Sequence, residues 1–280
     1  MRSQARHLAF GLLTLLGIRK RGFFIPYRYA DQLPGSGERP PYRALNRLFA
    51  AAEPAFAGVL EHIDAHAEAL AGIGQTPPPE PRWNQDWFPR LDAAAAYVLV
   101  RETRSRRIVE VGSGHSTRFL ARAIRDSRLA TELTAIDPAP RADIDGVGAT
   151  ILRRNVQAAG MAPFEALSAG DILFIDSSHI LMPGTDVDFL FNHVLPMLPA
   201  GVLIHVHDIF LPDDYPADWG WRSYNEQLGV AALIQGGAYQ LIWSSHYAAT
   251  RMRDAVLASA AGRLELKPGA REASLWLVKS

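Results

Sequence analysis

Residues 108–117 read Ile-Val-Glu-Val-Gly-Ser-Gly-His-Ser-Thr, and an acid follows at Ile136-Asp137-Pro138. A β-branched run thus enters a glycine turn at Gly112, Ser113 and Gly114. Without side chains at the glycines, backbone N–H groups can approach a bound ligand closely. Ser116 and Thr117 are placed to cap a helix from Arg118 to about Ser127. The gap from Gly114 to Asp137 is roughly the twenty residues that a strand, turn, helix and second strand consume. The carboxylate of Asp137, with Pro138 behind it, can accept hydrogen bonds from a ribose diol, so the expected ligand contains adenosine. A dinucleotide fingerprint would place a small residue where this chain has Thr117. Glu110, just before the turn, would repel a pyrophosphate and suits a cationic sulfonium that carries an ammonium group.

Two further segments end in chemistry: Asp171-Ile-Leu-Phe-Ile-Asp176-Ser-Ser-His179 and Gly201-Val-Leu-Ile-His-Val-His207-Asp208. With Glu110-Val-Gly-Ser-Gly, Asp137 and the intervening Gly184-Thr-Asp-Val, they resemble the class I S-adenosylmethionine-dependent methyltransferases, in a bacterial branch that acts on small molecules. The resemblance covers residues 91–280. It implies a Rossmann-like α/β sheet of seven strands, mostly parallel, with the last strand antiparallel. It also implies that Glu110, Gly112, Ser113, Gly114, Ser116, Thr117, Asp137, Pro138 and Asp176 surround S-adenosylmethionine. Metal-dependent O-methyltransferases carry an acid–acid or acid–asparagine pair at the fifth strand, whereas here Ile209 follows Asp208.

In such a sheet ligands bind beyond the carboxyl ends of the strands. Asp176 and His179 fall at one such end and His207 and Asp208 at the next, with Asn155 and Gln157 after the third strand. Either acid alone reads as a cap on the turn that follows. Together, each with a histidine on neighbouring strands, they read as a catalytic group. Methyl transfer from sulfonium to oxygen is an in-line displacement that requires alignment and the removal of one proton. A histidine near neutral pKa can take that proton. A divalent cation on Asp176 and Asp208 would instead lower the pKa of the acceptor. His205, one step deeper on the face of His207, reads as a buried partner. His115 adjoins the cofactor turn, and the remaining histidines read as helical, capping or loop residues.

The rest of the chain must position these groups. Strands are expected at 108–111, 133–137, 150–156, 171–176, 201–208, 239–244 and 273–278, alternating with helices at 92–103, 118–127, near Phe164, at 186–195 and at 223–235. Pro196 should stop the 186–195 helix, and no clear helix separates the last two strands. Residues 41–72 have helical spacing broken at Pro54, and Thr76-Pro-Pro-Pro-Glu-Pro81 reads as a stiff linker. The expected division is therefore a helical extension with linker, 1–81, and a cofactor-binding core, 82–280. Flanking aromatic residues, Tyr27, Tyr29, Trp83, Trp87, Phe88, Tyr215, Trp219, Trp221 and Tyr224, would pack the flanks or close a lid.

Formal net charge is zero, which disfavours a nucleic-acid substrate, and there is no cysteine, which fits a reducing cytoplasm and excludes thiolate chemistry. The apolar stretch Leu8–Ile18, flanked by Arg6 and Arg19-Lys20-Arg21, is eleven residues long. That is too short to span a bilayer, which needs roughly twenty. It reads as a helix that docks on the protein, on a partner chain such as the second copy of a homodimer, or on a membrane surface. The leading function is methyl transfer from S-adenosylmethionine to a small-molecule acceptor, at oxygen before nitrogen. The competing readings are a nicotinamide-dependent oxidoreductase and a non-catalytic binding module on the same fold.

Overall fold

The computed structural model describes residues 2–35 and 37–280. Seven strands form one sheet: β1 (Arg107–Val111), β2 (Glu132–Ile136), β3 (Thr150–Leu152), β4 (Ile172–Ile175), β5 (Leu203–Val206), β6 (Tyr239–Ser244) and β7 (Leu275–Lys279), in the order β3-β2-β1-β4-β5-β7-β6. The first five run parallel, and β7 is antiparallel to both β5 and β6. This is the α/β, Rossmann-like methyltransferase arrangement that the sequence implies. A dinucleotide-binding sheet would continue with another parallel crossover.

The direction of winding reverses at β1, between β2 and β4, which opens a crevice at their carboxyl ends. Register then fixes the chemistry. Val111 pairs with Ile136 and with Ile175, and Ile175 pairs with Val206. The next residues along each strand, Gly112, Asp137, Asp176 and His207, therefore leave the sheet at one level.

Burial accounts for the elements. Every residue of β4 is buried, as a parallel strand covered on both faces requires. Residues 91–100 of the helix Arg90–Thr103 are all buried, and four consecutive alanines, Ala93–Ala96, let it pack closely. Compactness divides the chain into Met1–Pro41 with Asp213–Tyr224, and Tyr42–Pro212 with Asn225–Ser280. The boundary thus falls at Pro41, not at Pro81. The helices Arg43–Ala51 and Glu53–Ala65 bury Phe49, Phe56 and Ile63 in the core of the sheet, where Phe56 packs against Trp243 and both phenylalanines against Tyr247. Even the proline-rich linker is tied down, because Glu80 pairs with Arg122 and Arg125.

Local differences from the sequence reading have identifiable causes. β3 ends at Leu152 because only Thr150–Leu152 pair with β2, and Asn155 then caps the short helix Val156–Ala159 by accepting from the Ala158 N–H. Asn155 and Gln157 are therefore structural; Gln157 donates to Gly184 O. The helix beginning at Asp186 is capped by Thr185 as expected, but it passes Pro196 and ends at Met197. A π-helical turn, Leu190–Val194, lets the Leu195 N–H reach Leu190 O just before the proline, which has no N–H to place. Helices Ser245–Arg251 and Arg253–Ala258 do separate β6 from β7, the first capped by Ser244 and anchored by buried Tyr247.

Candidate active site

The glycine turn is built by close approach. Gly112 has φ +86°, and a Cβ there would lie 1.9 Å from Asp176 O, so no side chain fits between the ends of β1 and β4. Gly112 N donates to Ile136 O and Asp176 N to Val111 O, which ties three strand ends together. The following helix is His115–Asp126, three residues longer at its start than expected. Gly114 is its N-cap, and Thr117 Oγ1 accepts from Gly114 N at 2.9 Å. Ser116 and Thr117 are thus in the first turn, not ahead of it. Ser113 Oγ donates to Asp137 Oδ2 at 2.8 Å, which joins the turn to the acid after β2, while Pro138 is exposed.

Glu110 is fully buried on β1, where Ser116 Oγ donates to its Oε1 at 2.5 Å. Its Oε2 has no hydrogen-bond partner. Burial pushes the carboxyl up to about 8, and the negative charges of Asp176 and Asp137 add to the rise; the Ser116 and Thr117 hydroxyls offset it only in part. An orphaned, proton-holding carboxyl beside a glycine turn is a costly arrangement unless a cationic ligand completes it. His115, the first residue of the helix after that turn, lies half-buried with Nδ1 unpartnered, and burial, followed by the charges of Arg118 and Arg82, lowers its pKa to about 4.

The second group forms around His179, buried and held at φ +62°. Its Nδ1 is 2.9 Å from Glu226 Oε2, and its Nε2 is 3.5 Å from both Asp176 Oδ1 and Asp208 Oδ2. Burial opposes a charge on the ring, but the surrounding carboxylates prevail and raise its pKa well above the usual value. Asp208 (φ +56°) turns its other oxygen, Oδ1, toward His207 Nε2 at 3.6 Å. His207 Nε2 also lies 3.0 Å from Trp87 O, and Ser274 Oγ is 3.5 Å from its Nδ1. Burial works against its protonation too, yet Asp176, Asp208 and Asp92 raise its pKa. For Asp176, burial alone would raise the pKa; His207 and His179 outweigh it and hold the carboxyl at about 2. The structure therefore brings Asp176, His179, His207 and Asp208 together, with each histidine ring against carboxylate oxygens.

Supporting residues escaped the sequence reading. Asn225, Glu226 and Gln227 begin the helix side by side: Asn225 Oδ1 accepts from Leu181 N, Glu226 holds the His179 ring, and Gln227 Oε1 accepts from Phe210 N. One tripeptide thus fixes the loops after both β4 and β5. Three polar residues heading an otherwise apolar helix were the available signal. Below His207, buried Asp92 accepts from Ala273 N and Ser274 N, and Ser274 Oγ lies 2.8 Å from His205 Nε2. His205 stacks on Phe174 at 3.6 Å and is a buried partner, as expected.

Glu226→Gln is expected to remove the counter-charge that keeps His179 protonated. Asp176 and Asp208 would then repel each other, and Asp176 would lose much of the stabilisation that holds its pKa low. The acid limb of the rate–pH profile should move to higher pH, with kcat reduced more than KM; an unmoved profile would show Glu226 to be packing alone.

Among the described residues no cluster of three or more histidine or acidic side chains has the arrangement of a metal site. Asp176 and Asp208 converge on the His179 ring. The flanking aromatic residues divide between roles. Phe88 packs in the core against Phe119, Phe174, His205 and His207, and Trp87 is exposed with Arg141 over its ring. Within Asp213–Tyr224, Tyr215 and Trp219 pack on Tyr224.

Residues 109–209 match the family model of a methyltransferase domain. A search of curated protein sequences finds no match. Among solved structures, a Podospora anserina methyltransferase with S-adenosylhomocysteine bound is similar at TM-score 0.42 and 15% identity, over 92% of this chain and 99% of that one. An O-methyltransferase from Bacillus cereus, also with S-adenosylhomocysteine, is similar at 0.42 and 13%, over 80% and 91%. An O-methyltransferase from Streptomyces achromogenes in complex with S-adenosylmethionine is similar at 0.41 and 16%, over 79% and 89%. The matched segment, residues 109–209, runs from β1 to just beyond β5 and so is similar to a methyltransferase domain over the glycine turn and the strand ends that carry Asp137, Asp176 and Asp208.

Proposed function

We propose that this protein transfers the methyl group of S-adenosylmethionine to an oxygen of a small-molecule acceptor. The observation that carries the reading is the buried Glu110 carboxyl with one unpartnered oxygen, in a turn whose Ser113 is bonded to Asp137. The donor supplies an electrophilic methyl group on sulfur. Glu110 would pair with its ammonium group, Asp137 would accept from its ribose hydroxyls, and the turn 112–114 with the first helical N–H groups of Ser116 and Thr117 would line its path. Pro138 and Asp176 would bound the site on either side.

Asp208 and Asp176 then face the acceptor. The Asp208 carboxylate would accept the hydroxyl proton as the oxygen attacks, and His179 and His207 would hold both carboxylates in place. Asp176 is the more exposed of the two acids, its side chain 31% accessible, so it is the better placed to orient an incoming hydroxyl. The small-molecule assignment is supported by charge. The six arginines and lysines of residues 1–30 balance an equal excess of acids in residues 31–280, so the part that holds the site offers little to a polyanion.

The test is calorimetric titration of S-adenosylmethionine into wild type and Asp137→Ala. Loss of a charge-assisted bond to a ribose diol should weaken binding by about 10–100-fold. Equal affinities would remove the cofactor assignment.

A further inference from the structure

The first thirty residues contain six arginines and lysines and no acid; the first acid is Asp31. In a chain of zero net charge this is a strong segregation. The same segment shows its apolar side chains. Leu8, Leu12 and Leu15 recur at i, i+4 and i+7 on the helix Arg2–Leu15, and with Leu16, Phe24 and Ile25 they are at least half exposed. Such a run of large exposed apolar residues calls for an occupant.

The basic residues and the apolar face belong to one surface. After the helix the chain turns back: Arg19 N donates to Leu13 O, and Arg21 N to Thr14 Oγ1 at 2.9 Å. The Arg21 and Arg6 guanidinium groups both lie over the Phe10 ring, at 5.2 and 5.7 Å, and the Lys20 ammonium lies 4.9 Å from the Phe23 ring centroid. Cations on long stems around exposed leucines and phenylalanines form a surface with charge outside and hydrocarbon beside it.

We infer that residues 1–30 dock this protein on an anionic lipid bilayer, the helix lying in the interface with its leucines in the acyl region and Arg19, Lys20 and Arg21 among the headgroups. Complementarity selects this occupant. A second copy set on the same face would bring two acid-free basic segments together, and nucleic acid would leave the leucines in water. A bilayer with anionic headgroups satisfies both features. At fourteen residues the helix is about 21 Å long, too short to cross, so it lies on the surface. Among the described residues no helix is long and apolar enough to span a membrane.

Flotation of the full chain with vesicles tests the inference, using phosphatidylcholine alone and phosphatidylcholine with phosphatidylserine. Two variants accompany it: Arg19→Glu/Lys20→Glu/Arg21→Glu, and Leu12→Ser/Leu15→Ser. Far-UV circular dichroism and unfolding midpoints of both variants should match wild type, because the substituted side chains are exposed. Binding is expected to be about tenfold or more stronger with phosphatidylserine, and to fall by about tenfold or more in each variant and at raised salt, since each basic residue near the surface contributes roughly fivefold. Failure to float at low salt, equal flotation with both vesicle types, or flotation undiminished by the charge-reversal variant would overturn it. So would self-association of the wild type that the leucine variant abolishes without any vesicle binding.

Discussion

Asp208→Ala is expected to slow methyl transfer by ~10²–10⁴, the usual cost of losing a proton-accepting group, with affinity for the methyl donor within a few-fold of wild type. The separation follows from position. Asp208 leaves β5 after His207, with β1 and β4 between it and β2, where Asp137 is bonded to Ser113. His207→Ala should fall in the same range, because it removes a ring nitrogen 3.6 Å from Asp208 Oδ1 and unties the loop from Trp87 O. The two losses should not add: both act on one carboxylate, and groups that work as a unit give a double variant little worse than the worse single one. The assay also separates the two roles that Asp208 and Asp176 could play. With His179 Nε2 at 3.5 Å from each acid, the counter-cation is already part of the chain, and turnover is expected to withstand a chelator. Activity lost to a chelator and restored by a divalent cation would assign the two carboxylates to a metal instead.

What was readable in the sequence follows from how local each signal is. β-branched runs, a glycine turn and strand-end acids are short-range patterns, and parallel register then places Gly112, Asp137, Asp176 and His207 at one level with no further information. The role of the histidines was not readable, because it depends on residues remote in sequence. Glu226 lies 47 residues beyond His179 and reaches it through a helix start that periodicity treats as ordinary. Ser274 and Asp92 come from opposite ends of the fold and meet only because β7 returns beside β5. The helical region 41–72 was recognised as helical but not as part of the core, because helical spacing shows that a face is apolar and not what it covers. Phe56 finds Trp243 and Tyr247 only in three dimensions.

Binding of the methyl donor is expected to expel a proton, with affinity rising by up to about tenfold per pH unit between about pH 5.5 and 7.5. Ligand-free Glu110, raised to about 8 by burial, holds its proton through this window. An ammonium group beside the carboxyl would favour the ionised form, so binding and proton loss are linked. Calorimetry in buffers of different ionisation heat should show about one proton released near pH 7. Glu110→Gln should abolish both the release and the pH dependence, and weaken binding by about 10–100-fold at pH 7.5. The same carboxyl has the opposite effect on the empty protein. Because its folded pKa is raised from an ordinary 4.5, the folded chain keeps a proton that the unfolded chain sheds, and stability falls as pH rises from about 4.5 to about 8. Glu110→Gln is therefore expected to be the more stable protein at neutral pH without donor, by a few kcal/mol, and the poorer binder with it. Chemical denaturation at pH 5 and pH 8 checks the first half. Donor affinity that does not change with pH would break the link between the orphaned carboxyl and a cationic ligand, and with it the reason for a glutamate at the end of β1.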